Sequence, residues 1–193
     1  WDSPFKGDST EIKPFQVAKD KTRNAWLMKQ RGSFRFHDQK DLQVLELPYA
    51  GEQLSMLILL PREKEDISCV EKLLTPRSLE ILGRNMTRRR VEVFLPRFKM
   101  ATDVRLAKHL RSMGMGLAFG DADLSGIDGG KEKLALDEVV HKAFIDVHEK
   151  GTEAGASSGA FVGSRSIELV PVFRADHPFV FLIRDNRNGT ILF

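Results

Sequence analysis

Alternating apolar and polar positions divide this chain into short extended segments. Ser33–His37 alternates residue by residue, as a half-buried strand does. Leu42–Leu47 and Leu54–Leu60 are apolar runs on either side of Tyr49-Ala50-Gly51-Glu52, which predicts a hairpin. Pro61 removes a backbone donor and ends the second run. Within Arg90–Met100, Val91, Val93 and Leu95 alternate with Arg90, Glu92 and Phe94, the pattern of another strand. Val139–Val147, Ile167–Phe173 and Phe179–Ile183 are further strand candidates. Asn186-Arg187-Asn188-Gly189 is a turn into a last one.

Helical spacing is confined to short pieces. Ser68 and Glu71 have the spacing of a capping box. Thr75-Pro76 sets a capping hydroxyl before a proline suited to a first helical turn, and Leu79 and Leu82 then share a face. Thr102 is expected to cap a helix in which Leu106, Leu110 and Met113 recur and which Gly114 ends. Residues 1–33 are mixed and polar, with Asp8-Ser9-Thr10 and Lys19-Asp20-Lys21 reading as loop or turn. Asp121–Lys133 also reads as loop. The sum is an α+β chain dominated by antiparallel sheet, with no repeat or linker that divides residues 1–193.

Composition narrows the function classes. Apolar residues make up 41% of the 193, enough for a core, and the net charge of +3 is too small to imply nucleic acid. The single cysteine, Cys69, cannot form an internal disulfide and reads as a buried, apolar-like helix residue. The longest apolar run, Leu57-Ile58-Leu59-Leu60, is far too short to span a bilayer as a helix. The residues from Trp1 to Lys6 are not a signal peptide. The opening on an aromatic and the end on Ile191-Leu192-Phe193 fit a segment of a longer protein. The histidines and carboxylates form no triad or metal spacing, so neither catalysis nor a metal is expected. Gly151–Gly163 consists mostly of small residues without a packing period, and composition alone makes it a flexible linker.

Ordered motifs place that segment differently. The stretch from His141 to Ala154 resembles the serpin segment that runs up the fifth strand of the large sheet into the hinge of the reactive-centre loop. His177-Pro178-Phe179-Val180-Phe181-Leu182-Ile183 is similar to the family's closing signature, and Asn188-Gly189-Thr190-Ile191-Leu192-Phe193 to the turn and strand after it. Asp123-Leu124-Ser125-Gly126 and Phe94-Leu95-Pro96-Arg97-Phe98 also match. Trp1 resembles the tryptophan that opens the breach at the top of the sheet, and His141 a polar residue buried beneath it. The resemblance covers nearly all of residues 1–193. It implies the serpin fold of antiparallel sheets with short helices, in a C-terminal half that lacks the N-terminal half and the last residues. The exposed loop would occupy about residues 150–170.

The resemblance also implies a mechanism, that of a suicide inhibitor and not of an enzyme. A protease cuts the loop and forms an acyl-enzyme, and the loop then inserts into a β-sheet and carries the protease with it. The hinge, Glu149, Lys150, Gly151, Thr152, Glu153, Ala154, Gly155 and Ala156, must slip between paired strands. From Thr152 to Ala160 its residues are small apart from Glu153, and no proline interrupts Gly151–Ser166. Alternation lets Glu153 face outward while Thr152 and Ala154 go in. Counting from Gly151 by the family's spacing places the scissile bond at Arg165–Ser166. An arginine suits the buried aspartate of a trypsin-like primary pocket. The implied partner is a trypsin-like serine protease, held covalently by a secreted, extracellular, monomeric inhibitor. The alternative is a non-inhibitory serpin, a carrier or chaperone.

Arg84, Arg88, Arg89 and Arg90 form the densest basic run, in a region where one serpin carries a heparin-binding cluster. A heparin-like glycosaminoglycan is the one activator the resemblance suggests. Asn85-Met86-Thr87 and Asn188-Gly189-Thr190 are N-glycosylation sequons at Asn85 and Asn188.

Overall fold

The computed structural model describes residues 1–63, 67–120, 122–130, 133–151 and 169–193. Two compact units emerge: Trp1–Phe98 with Val147–Phe193, and Lys99–Asp146.

The first unit is built on one long strand. β1 (Glu11–Ala18) turns through Lys19 and Asp20, the latter at φ 57°, into β2 (Lys21–Asp38). β2 pairs with β1 and then β3 (Leu42–Pro48) along one edge, and with β5 (Thr87–Pro96) along the other. β4 (Leu54–Pro61) joins β3 through the expected hairpin, whose turn holds Gly51 and Glu52 at positive φ. β9 (Val180–Asp185) adds to β4, and β8 (Val172–Arg174) runs parallel to β5. The order is β8-β5-β2-β3-β4-β9, with β1 on β2. The predicted α+β class with mainly antiparallel pairing is the architecture found.

Lys19 and Asp20 form the turn expected there, and Asp8 and Ser9 lie in a short helical turn (Gly7–Ser9). The mixed, polar residues around them form β1 and the start of β2, strands for which the sequence shows no pattern. β1 is exposed over most of its length and Lys21–Asn24 wholly so, so polar side chains on both faces leave no alternation to read. Backbone pairing from Glu11↔Leu27 to Ala18↔Lys21 makes these strands.

α1 (Ser68–Glu71) and α2 (Pro76–Asn85) cover one side of the β3–β4 hairpin. Val70, Leu82 and Met86 close over Leu42, Val44, Leu57 and Leu59, and the half-buried Cys69 packs beside them. Thr75 caps α2 as its sequence requires, accepting the Ser78 N–H at 3.2 Å. Ser68 caps nothing. Ile67, itself in helical conformation, stands before α1, so the spacing to Glu71 lacks the extended residue that a capping box needs.

In the second unit, β6 (Phe98–Arg105) and β7 (Val140–Val147) form a two-stranded sheet. Thr102 lies within β6 and is not a cap. α3 (Ala107–Leu110) starts later, its Ala107 N–H held by the Glu138 carboxylate at 3.1 Å. Gly114, at φ 97°, breaks the helical segment as expected. The expected loop 121–133 includes one helical turn, α4 (Ser125–Asp128), ended by Gly129 in the left-handed region. After β9, only a single bridge, Arg184↔Ile191, marks the expected last strand among the described residues.

Candidate functional site

The residues that follow β7 are fastened from several directions. Trp1 is 3% exposed and stacks on Tyr49 with ring centroids 5.0 Å apart. Its indole N–H donates to the His148 carbonyl at 2.9 Å, and its backbone nitrogen lies 3.3 Å from the Lys150 carbonyl. Gly151 adopts φ 99° and lies so close beneath Trp1 that a Cβ there would come within 2.2 Å of the Trp1 nitrogen. Phe5 donates its backbone N–H to the Glu149 carbonyl at 3.0 Å.

Glu149 is the charged centre of this anchor. It is 9% exposed, and one carboxylate oxygen accepts three donors. Arg97 Nε lies at 2.7 Å and Thr10 Oγ1 at 2.5 Å, and Arg97 Nη2 completes the set. Arg97 sits between β5 and β6, where its N–H is tied to the Trp26 carbonyl at 2.8 Å and its guanidinium lies 5.7 Å from the Trp26 ring centroid. Burial pushes the Glu149 carboxyl up. Hydrogen bonds from Arg97 and Thr10 more than offset this, so it titrates below its ordinary value.

A pH dependence follows. Because the folded pKa is depressed, the stabilisation from the clasp is complete above the ordinary pKa of 4.5 and is lost as pH falls through the folded value. Arg97→Ala should destabilise the full-length protein by about 2 kcal/mol at pH 7, less than a fully buried pair because Arg97 is half exposed. Denaturant melts at pH 7 and pH 3 test this: the gap between wild type and variant should shrink in acid. An equal gap at both pH values would mean that the ion pair contributes nothing.

Of the expected hinge residues, Gly151 and the Lys150 carbonyl meet Trp1, and Glu149 is buried beside them against Arg97 and Thr10, while Lys150 as a whole is exposed. Thr152, Glu153, Ala154, Gly155, Ala156, Arg165 and Ser166 lie outside the described residues. His141, expected from the resemblance to lie buried beneath the large sheet, is exposed near the start of β7 among the described residues. β7 pairs only with β6 among the described residues, and its first fully buried side chain is Ile145. Neither Arg97 nor Thr10 announces this role in the sequence. Arg97 stands in the Phe94–Phe98 motif inside the single strand expected over Arg90–Met100, which the structure divides at Arg97, and Thr10 stands in a polar turn.

The basic run divides between surfaces. Arg84 lies in the last turn of α2 and pairs with Glu80 at 2.5 Å. On β5, Arg88 and Arg90 face one way, with Arg88 3.9 Å from Glu52. Arg89 faces the other, over the Phe36 ring. Asn85 is the exposed last residue of α2, and Asn188 is exposed in the turn after β9, its side chain accepting the Thr190 N–H at 2.9 Å.

Comparison with known proteins places this arrangement. The Serpin (serine protease inhibitor) family matches residues 1–193. An uncharacterized serpin-like protein of Thermococcus kodakarensis is 43% identical over 196 aligned residues, covering 100% of this chain and 45% of that protein. Human Serpin B9 is 40% identical, and the leukocyte elastase inhibitor of Equus caballus 38%. Each alignment covers 100% of this chain and 53% of the relative. The chain thus spans about half the length of these relatives. With the whole sequence matched and the hinge, breach tryptophan and closing strand in their expected order, the chain belongs to the serpin family.

Proposed function

We propose that the full-length protein is a serpin that traps a trypsin-like serine protease by acting as its suicide substrate. The protease serine attacks the Arg165 carbonyl carbon, the Ser166 amine departs, and an acyl-enzyme remains on Arg165. Loop insertion then carries the protease away before water can release it. The nucleophile belongs to the protease; this chain supplies the bait and the strand.

The observation that carries this reading is the anchored hinge. Glu149 and Gly151 are fixed against Arg97, Thr10 and Trp1, immediately before the stretch expected to form the loop. The small, proline-free stretch that follows meets the demands of insertion, which a carrier or chaperone does not need to meet. The leukocyte elastase inhibitor among the relatives supports a protease partner. Arg165 supports arginine specificity.

Incubation of the full-length protein with trypsin, followed by a denaturing gel, tests the proposal. A covalent band that survives the detergent is expected. Cleavage at Arg165 without such a band would identify a non-inhibitory member. Thr152→Arg should convert the inhibitor into a substrate, because an inward-facing charge without a partner costs several kcal/mol (roughly 3 or more) and stalls insertion. The measurement is the molar ratio of inhibitor consumed per protease trapped, which should rise severalfold. An unchanged ratio would rule out insertion by the hinge.

A further inference from the structure

The β8-β5-β2 part of the sheet carries cations that its own carboxylates do not neutralise. Directly opposed residues on paired strands share a face. On β5 and β2, Arg90 stands opposite Ser33, Glu92 opposite Arg31, and Phe94 opposite Lys29. β8 places Arg174 beside Phe94. The reverse face holds Val91, Val93, Leu95 and Phe173, all fully buried, so the cationic side is the outer one. Lys29 takes the Glu92 carboxylate at 3.1 Å. The Arg174 guanidinium lies 3.6 Å from the Phe94 ring centroid. Among the described residues, Arg31, Arg90 and Arg174 form no ion pair with any carboxylate. Clustered like charges on adjacent strands oppose folding, and an anionic surface docked against them removes that penalty.

The position of this face indicates the partner. Val172, the first residue of β8, lies only seven positions after Arg165. Fully extended, that stretch spans at most about 25 Å. A protease domain of about 220 residues has a radius of gyration of about 17 Å, so a protease engaged at Arg165 brings its flank within reach of the β8 face. We infer that the outer face bearing Arg31, Arg90 and Arg174 docks an acidic surface patch of the protease that attacks Arg165. The inference rests on the Arg165 reading above. It adds a determinant of partner choice that lies outside the primary pocket.

Two trypsins of opposite surface charge, anionic and cationic, offer the same pocket and different flanks. The rate to follow is loss of the intact Arg165–Ser166 bond in the full-length protein, which counts trapping and plain cleavage alike. At low salt the anionic form should react about tenfold faster, and the difference should vanish near 0.5 M salt, where screening acts within about 4 Å. Replacing all three residues, Arg31→Gln, Arg90→Gln and Arg174→Gln, should erase the preference. Arg31→Gln alone, at an exposed position, should lower it measurably without perturbing folding. Equal rates for the two trypsins, or a preference untouched by either variant, would overturn the assignment. So would loss of heparin retention in the triple variant with its trypsin preference intact, which would make the face a polysaccharide site. If neither trypsin cuts at Arg165, the bait reading fails first, visibly apart from any charge effect, and the docking assignment falls with it.

Discussion

Arg165→Ala should lower the rate at which the full-length protein forms a covalent complex with trypsin by about 10⁴-fold. A trypsin-like pocket buries a carboxylate at its base, and the guanidinium meets it with charge-assisted hydrogen bonds. Alanine leaves that carboxylate desolvated and unpaired. Sites built to bind a polar group discriminate against analogues lacking it by roughly 10⁴–10⁵. Arg165→Lys keeps the charge and gives up the planar fork, so its rate should fall far less. Progress curves at a series of inhibitor concentrations yield the rate constants. If alanine reacts within a factor of about ten of wild type, that pocket discrimination is absent and the bait lies elsewhere in the loop. The substitution leaves the hinge untouched. A protease of different primary specificity should therefore still be trapped, and that outcome would separate the identity of the bait from the capacity to insert.

That separation mirrors how much of the molecule is legible in its sequence. The β3–β4 hairpin could be read because each strand is buried on both faces and Gly51 marks the turn. The Thr75 cap could be read because capping is local, resting on an extended residue and a hydroxyl three positions before the N–H it accepts. β1 and the start of β2 could not, since they are held by backbone pairing while their side chains face solvent. The hinge anchor was still less accessible. Thr10 and Glu149 are 139 residues apart in sequence, and Arg97 is 52 residues from Glu149, so no window holds two of the three. Family resemblance named Glu149 and Gly151; only the fold shows what holds them. The basic run shows the opposite failure. Arg88, Arg89 and Arg90 are adjacent in sequence, yet strand alternation sends Arg89 to the far face. Arg31 and Arg174, distant in sequence, join Arg90 on the near one.

Gly151→Ala is expected to destabilise the protein by about 3 kcal/mol, through two effects at one atom. The first is conformational: at φ 99° a residue with a Cβ is strained, typically by roughly 1–3 kcal/mol. The second is steric. The new methyl would lie 2.2 Å from the Trp1 nitrogen and 3.6 Å from the indole ring, so backbone must move, at a typical overpacking cost of about 1–3 kcal/mol. The two costs do not simply add, because a shift that relieves the contact also relaxes the dihedral. Displacing Trp1 loosens its stack on Tyr49 and its bond to the His148 carbonyl. Denaturant titration gives the stability change. The Trp1 contribution to the tryptophan fluorescence, obtained by difference from Trp1→Phe controls, should shift to the red as the ring meets water. A stability loss without that shift would place the strain in the backbone alone. No loss of either kind would mean that Gly151 is not pressed against Trp1, and the anchored hinge would no longer support insertion as the protein's mode of action.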